Sequence, residues 1–256
     1  MKNNLSKLIV FWKTFQIILT TVFLYVLFVG FRWILPSIQK QKYRRIVVKT
    51  WGRILLKIIG VTLEVKGYVP RKSPKITVSN HLGYLDILVY CAIYGCTFIS
   101  KSEVGTWPVI GKILKVVDII LIDRTSARNS AKIADHIFTH YDTHKNTVVF
   151  FPEGTSSGGK NVLPFKALLF QTIIDRNLPV TYAAISYTVP KGHDASEEVC
   201  WWRPETTLVG HVENLLKIKH IKANVTIGEE TLKAADRRSL SELAHSKVVS
   251  IFKKTG

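Results

Sequence analysis

The feature that most constrains this chain is a run of 18 residues without a charge, from Thr14 to Phe31 (TFQIILTTVFLYVLFVGF). A helix that crosses the hydrocarbon core of a bilayer needs about 20 apolar residues, so this run is long enough to enter a membrane. It is too long for a typical signal-peptide core, and no small-residue cleavage site follows it. We therefore predict a membrane-embedded helix, with a buried core helix as the alternative.

A second, basic segment follows Pro36, with the sequence YRRIVVKTWGRILLKIIG. Basic residues recur in it every four positions, and most of the other positions are apolar. The recurring residues are Arg45, Lys49, Arg53 and Lys57. A helix with this pattern lies on anionic lipid headgroups, or it packs on the rest of the protein. A hairpin broken at Pro36 would keep both of its ends on one side of the membrane.

The formal net charge of +18 is concentrated in the N-terminal third of the chain. Residues 1–75 carry 15 Lys and Arg and one acid, a net of +14, whereas residues 76–256 carry 21 and 17, a net of +4. Because basic residues are denser after the apolar run than before it, we expect the C-terminal body on the cytoplasmic face. No nucleic-acid-binding signature is present, so we predict membrane lipids as partners and no nucleic acid. A non-enzymatic basic membrane-binding protein remains an alternative.

From Val61 onward, short β-rich runs alternate with helical stretches. The predicted strands are Val61–Val65, Ile76–Ser79, Thr97–Ser100, Ile119–Ile122, Thr147–Phe151, Val180–Ser186, Val199–Trp202 and Ala223–Ile227. The predicted helices are Leu85–Ile93, Ala127–Asp142, Lys166–Arg176, Thr207–Leu216 and Leu240–Phe252. This alternation predicts an α/β fold, with a mostly parallel mixed sheet flanked by helices. We divide the chain into membrane-embedded and basic amphipathic helices over residues 1–60 and an α/β domain over residues 61–256.

Polar residues follow three of the predicted strands, at the edge where a parallel sheet places its site. SNHLGYLD contains His81 and Asp86, DIILIDR ends in Asp123-Arg124, and FFPEGTSSGG contains Glu153. Because the carboxyl ends of parallel strands meet at one edge, we expect these residues to converge. An imidazole in this position can act as a general base, and Asp86 can orient it if the turn folds back. No Ser or Cys nucleophile is then needed, provided that the substrate brings its own hydroxyl.

These motifs resemble, in order, those of the glycerolipid acyltransferase family, which includes the 1-acylglycerol-3-phosphate acyltransferases. NHLGYLD is similar to the NH-x4-D motif of that family, and IILIDR, FFPEGTSS and LPVTYAAI resemble its second, third and fourth motifs. The match covers about residues 60–190. Farther on, SSGGKNVLPFK and CWWRPETTLVGHVENLLK resemble the bacterial branch that includes the lyso-ornithine lipid acyltransferases.

The resemblance implies transfer of an acyl group from acyl-CoA or acyl carrier protein, as co-substrate, to a lysolipid hydroxyl, with no other cofactor. His81 would deprotonate the hydroxyl and Asp86 would orient the imidazole. The acceptor head group would be held by Arg124, Glu153, Gly154, Thr155 and Ser156. The acceptor would be 1-acylglycerol-3-phosphate, giving phosphatidic acid, or alternatively lyso-ornithine lipid, because Ser156 stands where the family usually has arginine. Residues 61–256 would form the acyltransferase domain.

Two other patterns suggest different chemistry. Gly154-Thr155-Ser156-Ser157-Gly158 matches the G-x-S-x-G elbow of serine hydrolases, but that elbow needs a helix directly after the serine, and here two glycines and Pro164 follow. His136, His140 and His144 recur every four residues, as in some zinc sites, but no Glu lies among them. We therefore predict no metal, and a serine lipid hydrolase stays only as a less favoured alternative to acyl transfer.

Overall fold

The computed structural model describes residues 2–67, 76–101, 120–122, 139, 141, 146–203 and 205–256. Within these residues the strands are β1 (Val61–Lys66), β2 (Ile76–Ser79), β3 (Thr97–Lys101), β4 (Ile120–Ile122), β5 (Val148–Phe150), β6 (Val180–Thr188) and β7 (Ile221–Ile227). The helices are α1 (Lys2–Ile34), α2 (Ser37–Ile59), α3 (Leu85–Tyr94), α4 (Phe170–Asp175), α5 (Ala195–Glu198), α6 (Leu208–Lys217) and α7 (Arg237–Ile251). A short 3₁₀ helix, Ala167–Leu169, precedes α4.

The described strands form one seven-stranded sheet in the order β1-β7-β6-β2-β5-β3-β4. Neighbouring strands run parallel, except that β6 and β7 are antiparallel. The predicted mostly parallel mixed sheet is therefore confirmed. β2 lies between β6 and β5, and each of its four residues is buried, as expected of a strand that is covered on both faces. Its carboxyl end consequently opens at the middle of the sheet edge.

Helices cover both faces of the sheet, and alternate residues of β6 point to the two resulting cores. Ala183, Ile185 and Tyr187 join the core that contains residues of α2, α3 and α6. Tyr182 and Ala184 join the opposite core, which contains residues of α4 and α7. The side-chain period of two along a strand explains this division, because successive residues face opposite sides.

Helix α2 packs tightly against α3. A Cβ atom on Gly52 would lie 2.7 Å from the backbone nitrogen of Ala92, so only glycine permits this approach. The Nε atoms of Arg45 and Arg53 donate to the carbonyl oxygens of Tyr94 (3.3 Å) and Ala92 (3.2 Å). Two residues of the predicted basic stripe thus satisfy carbonyls at the end of α3 instead of facing lipid.

Helix α1 lies along α2 as the other arm of a hairpin. Side-chain hydrogen bonds that join the two helices include Lys13 Nζ to Ile59 O (2.7 Å), Trp51 Nε1 to Thr21 Oγ1 (3.1 Å) and Tyr43 OH to Leu27 O (3.0 Å). Residue numbers rise along α1 as they fall along α2, so the helices are antiparallel. The turn between them contains Pro36, whose restricted backbone cannot continue a helix.

The outward surface of α1 is mostly apolar from Leu8 to Phe31. Large side chains such as Leu8, Phe11, Phe23 and Val26 are each more than half exposed. Asn4–Phe31 is the one segment, among the described helices, that is long and apolar enough to cross a membrane by length and composition. Soluble proteins rarely expose an apolar surface of this extent, so the helix indicates membrane association.

One predicted strand is wrong. Residues Val199–Trp202 form no strand but an irregular segment after α5, and the backbone nitrogen of Trp201 donates to Leu82 O (2.9 Å). The two indole nitrogens donate to the carbonyls of Thr206 (3.0 Å) and Ser196 (3.0 Å). β-branched and aromatic composition therefore reflected local packing and not sheet pairing. The predicted helix 127–142 falls almost wholly outside the described residues.

Candidate active site

The turn after β2 begins with Asn80, a fully buried side chain that ties the turn to β6. Its Nδ2 donates to Ile185 O (2.9 Å), and its Oδ1 accepts from Ile185 N (2.8 Å). The side-chain amide thus replaces a backbone rung where the strand ends. His81 follows directly, so its backbone position is fixed by the sheet.

His81 and Asp86 meet across this turn, because Asp86 lies in the first turn of α3 and folds back. His81 Nδ1 lies 2.8 Å from Asp86 Oδ2, which also accepts from Leu82 N (2.6 Å) and Gly83 N (3.1 Å). A carboxylate can only accept, so Nδ1 carries the proton and Nε2 has the free lone pair. The Asp86 side chain is fully buried, whereas that of His81 is 22% exposed. The imidazole is therefore fixed at Nδ1 by a buried carboxylate, while part of the ring remains accessible to solvent.

The imidazole also stacks on Phe151, the residue that follows β5. The two ring centroids are 4.2 Å apart and the planes differ by 12°. One face of the ring is thus covered by an aromatic side chain, while Nδ1 is fixed by the carboxylate. Among the described residues, Nε2 has no hydrogen-bond partner.

Tyr187 supplies the remaining hydrogen bond to Asp86, and sequence reasoning missed it. Its hydroxyl donates to Asp86 Oδ1 (2.7 Å), and burial, with the charge of Asp86 adding to it, raises the pKa of Tyr187 well above its usual value. The phenol therefore remains a donor. Ser79 pairs with Ala183, so Tyr187 lies four residues beyond that rung, at the same edge as the turn. In the sequence, a tyrosine near the end of a mostly apolar strand is the pattern that could have indicated this role.

Two neighbouring segments hold the turn in place. Ser157 N donates to His81 O (2.9 Å), and Trp201 N donates to Leu82 O (2.9 Å). A Cβ atom on Gly83 would lie 2.9 Å from Trp201 N, so this approach requires glycine. The backbone of the turn from Asn80 to Asp86, here named the catalytic turn for the role proposed below, is therefore fixed from two sides.

Glu153, a predicted substrate-binding residue, is buried against the same turn. Its side chain is 2% exposed. Within the described part of the chain, no donor meets the distance and angle of a hydrogen bond at either carboxyl oxygen. Burial raises the pKa of Glu153 to about 8; the backbone N–H groups of His81 and Leu163 oppose this rise in part, and the charge of Asp86 adds to it. The carboxyl is therefore protonated at neutral pH and closed to solvent, which suits a supporting position better than direct contact.

The other predicted residues of this loop differ in their surroundings. Gly154 has φ of 74° and donates to Phe151 O (3.1 Å), which closes a tight turn that favours glycine. Thr155 is exposed, and Ser156 Oγ donates to Trp201 O (2.6 Å). The Nζ of Lys166, which sequence reasoning missed, lies 2.8 Å from the place of a Cβ on Gly154. This exposed lysine puts a cation beside the predicted acceptor loop.

The same geometry argues against the serine-hydrolase alternative. Ser156 is followed by irregular backbone up to Lys166, not by a helix, and its hydroxyl is bonded to a backbone carbonyl. A nucleophile elbow needs the serine exposed at the start of a helix. Neither condition is met.

Several predicted residues lie outside the described residues: Arg124, His136, His140 and His144. Among the residues that are described, no group of three or more His, Cys, Asp or Glu could hold a metal ion.

Comparison with known proteins identifies the family. A family model described as Acyltransferase matches residues 60–186. The chain is 32% identical over 199 residues to lyso-ornithine lipid O-acyltransferase of Rhodobacter capsulatus, covering 75% of this chain and 69% of that protein. The chain belongs to the acyltransferase family. It is an enzyme of the type represented by the 1-acylglycerol-3-phosphate acyltransferases.

Other relatives of this acyltransferase agree. It is 34% identical over 161 residues to 1-acyl-sn-glycerol-3-phosphate acyltransferase of Neisseria meningitidis, covering 59% of this chain and 63% of that protein. Its fold matches the crystal structure of the 1-acyl-sn-glycerophosphate (LPA) acyltransferase PlsC from Thermotoga maritima, with a TM-score of 0.66, 20% identity and 98% coverage of each chain. At that identity the structural match shows the fold alone.

Proposed function

We propose that this acyltransferase moves an acyl chain from acyl-CoA or acyl carrier protein to the hydroxyl of a lysolipid, with His81 as general base. The observation that carries the proposal is the His81–Asp86 pair at the carboxyl edge of the sheet, with a 2.8 Å contact at Nδ1. A base needs its lone pair free and its ring fixed, and this arrangement supplies both. The acceptor provides the nucleophile, so no acyl-enzyme is required.

The reaction then has two proton transfers through one nitrogen. The acceptor hydroxyl gives its proton to His81 Nε2 as its oxygen attacks the thioester carbonyl carbon. The tetrahedral intermediate collapses, the C–S bond breaks, and its electron pair leaves with sulfur. The imidazolium returns the proton to the thiolate, giving one ester and one thiol. Asp86 holds the tautomer and stabilises the imidazolium, while Tyr187 keeps Asp86 in place.

The head group of the acceptor is proposed to bind at the loop that begins with Gly154. Thr155 is exposed there, and Lys166 places an ammonium group beside it. A cation and the backbone N–H groups of a glycine turn together suit an anionic head group. Arg124 is the second proposed cation, on sequence grounds alone.

The first candidate acceptor is 1-acylglycerol-3-phosphate. Lyso-ornithine lipid is the second candidate, and the extent of alignment favours it: the relative of that name aligns with 75% of this chain, against 59% for the 1-acyl-sn-glycerol-3-phosphate acyltransferase of Neisseria meningitidis. Its head group carries a carboxylate, which needs fewer cations than a phosphate monoester. Ser156, which donates to Trp201 O (2.6 Å), offers no charge for a phosphate.

We place the α1–α2 hairpin in the cytoplasmic leaflet. Thr21 is near the middle of the uncharged run, yet it accepts from Trp51 of α2 (3.1 Å), and α2 packs on the α/β domain. A helix spanning the bilayer would hold this point at mid-membrane, far from the domain. Both ends of the hairpin are therefore proposed to be cytoplasmic.

This topology can be tested by cysteine labelling, because the native cysteines Cys91, Cys96 and Cys200 are all buried. We expect Asn4→Cys to be labelled by a membrane-impermeant maleimide in inside-out vesicles and protected in intact cells, and we expect the same of the control Lys253→Cys, an exposed position in the α/β domain. Labelling of Asn4→Cys in intact cells would refute the hairpin.

The catalytic proposal is tested by acyl transfer on membranes that contain the protein, with labelled acyl thioester and each acceptor in parallel. We expect His81→Ala to lose at least about a thousandfold in kcat, since base and tautomer control are both removed. The matched control is His193→Ala, an exposed histidine paired with Glu198. Near-normal turnover in His81→Ala would refute the mechanism.

The product decides between the acceptors. Labelled phosphatidic acid supports the first candidate, and labelled ornithine lipid supports the second. Release of free fatty acid alone would contradict acyl transfer to a lipid.

A further inference from the structure

A groove separates the N-terminal part of α1 from the last turn of α2. Its volume is about 690 Å³, which falls in the range of ligand sites. Its walls are mostly apolar and include Leu8, Ile9, Trp12 and Ile58. Among the described residues, the polar part of its lining is one glutamine with two lysines, Lys13 and Lys57, and no acid lines it.

The two lysines have different partners. Lys13 Nζ donates to the carbonyl oxygens of Ile59 (2.7 Å) and Leu216 (2.9 Å), which leaves one of its three protons. Lys57 is exposed, and no ion pair joins it to any residue in the described ranges. The groove therefore combines an apolar wall with one free cation at its rim, which is the complement of an anionic amphiphile.

The groove opens on the surface that associates with the membrane. Leu8 is 63% exposed and Trp12 is 56% exposed, and both belong to the apolar outward side of α1. A molecule can therefore enter the groove sideways from the leaflet, without crossing water. None of its lining residues belongs to the catalytic turn or to the acceptor loop.

We propose that this groove binds one anionic phospholipid of the membrane, with an acyl chain against Ile9 and Trp12 and the phosphate at Lys57. The proposal rests on the membrane placement of α1 and not on the identity of the acceptor. The bound lipid would cover apolar surface between the two helices and thereby hold the hairpin at a fixed depth.

The test uses tryptophan quenching in vesicles, because Trp12 lines the groove. The full chain is reconstituted in phosphatidylcholine vesicles that contain a small fraction of brominated phosphatidylglycerol or of brominated phosphatidylcholine. Bromine quenches tryptophan on contact, and the signal of Trp12 is the difference between the wild type and Trp12→Phe. We expect brominated phosphatidylglycerol to be about fivefold more effective, which is the effect of one lysine near the surface. Excess unlabelled phosphatidylglycerol should reverse the quenching.

Lys57→Gln should abolish this preference, whereas Lys42→Gln, an exposed lysine elsewhere on α2, should retain it. Equal quenching by both lipids would overturn the proposal, as would a preference that survives Lys57→Gln or disappears in Lys42→Gln. Failure of the protein to float with the vesicles would overturn the membrane placement as well. Acyl transfer in detergent tests the catalytic proposal independently of all these outcomes.

Discussion

Replacing Glu153 by glutamine should remove a pH-dependent penalty from the folded protein. Burial raises the pKa of Glu153 from 4.5 to about 8. A carboxyl whose pKa is higher in the folded chain holds its proton more tightly there than in the unfolded chain. The contribution of Glu153 to the free energy of unfolding is therefore fully present below its pKa in the unfolded chain. It is lost as the pH rises through its pKa in the folded chain. This loss of stability falls in the pH range from 4.5 to about 8.

The size of this loss follows from the shift. Each pKa unit corresponds to about 1.4 kcal/mol, so the total loss by alkaline pH is at most about 5 kcal/mol. About 3 kcal/mol of it falls between about pH 6 and about pH 9. Glu153→Gln cannot ionise, so its free energy of unfolding lacks this fall. The difference in free energy of unfolding between the variant and the wild type should therefore grow by that amount from about pH 6 to about pH 9.

The measurement is unfolding of both proteins in one detergent at the two pH values, by denaturant or by heat. For a chain of this size, about 3 kcal/mol corresponds to roughly 6–12 °C in apparent Tm. Every other titrating group is common to both proteins and cancels in the difference. Glu242→Gln, an exposed acid on α7, is the control and should show no widening. If the difference in free energy of unfolding stays constant from about pH 6 to about pH 9, the pKa of Glu153 is not raised in the folded protein. The argument that burial keeps this carboxyl protonated would then be refuted.

Three further substitutions test the support of the catalytic turn. Asp86→Asn should lower kcat by about a hundredfold to ten-thousandfold while the fold measured by circular dichroism is kept, because the tautomer is no longer fixed; a change confined to KM would contradict this role. Tyr187→Phe removes one donor from Asp86 and should cost about tenfold in kcat, with unchanged activity as the contrary result. Gly83→Ala brings a Cβ to 2.9 Å from Trp201 N and should destabilise the protein by about 1–3 kcal/mol in denaturant unfolding, whereas Gly30→Ala, with nothing within 4 Å, should not.

The sequence predicted the parts of the site that depend on local structure. His81 and Asp86 are five residues apart, so a strand end, a glycine turn and the first turn of a helix suffice to bring them together. Tyr187 reaches Asp86 only through the pairing of β6 with β2, a contact between residues 101 apart along the chain. Register of that kind depends on how distant strands align, and local patterns do not encode it.

The same limit explains the error at Val199–Trp202. Its β-branched and aromatic residues matched a strand, but both neighbours of every central strand were already supplied by other segments. The segment was therefore left to cover the catalytic turn, where Trp201 N donates to Leu82 O (2.9 Å). β-propensity describes how well a residue suits a pleated, half-buried surface. It does not indicate whether the sheet has a strand edge free to pair with that segment.

The sheet register also brings the apolar helix α1 to the edge of the sheet that carries His81. β6 runs parallel to β2 and ends at Thr188, which pairs with Lys222 near the start of the antiparallel β7. The start of β7 therefore lies at the same edge as His81. Ile221 N donates to Gly60 O (3.1 Å), so the end of α2 is at this edge too. Lys13, which bonds the last carbonyl of α2, fixes α1 there. Under the proposed function, a lysolipid in the same leaflet would need to move only along the membrane surface to bring its hydroxyl to His81.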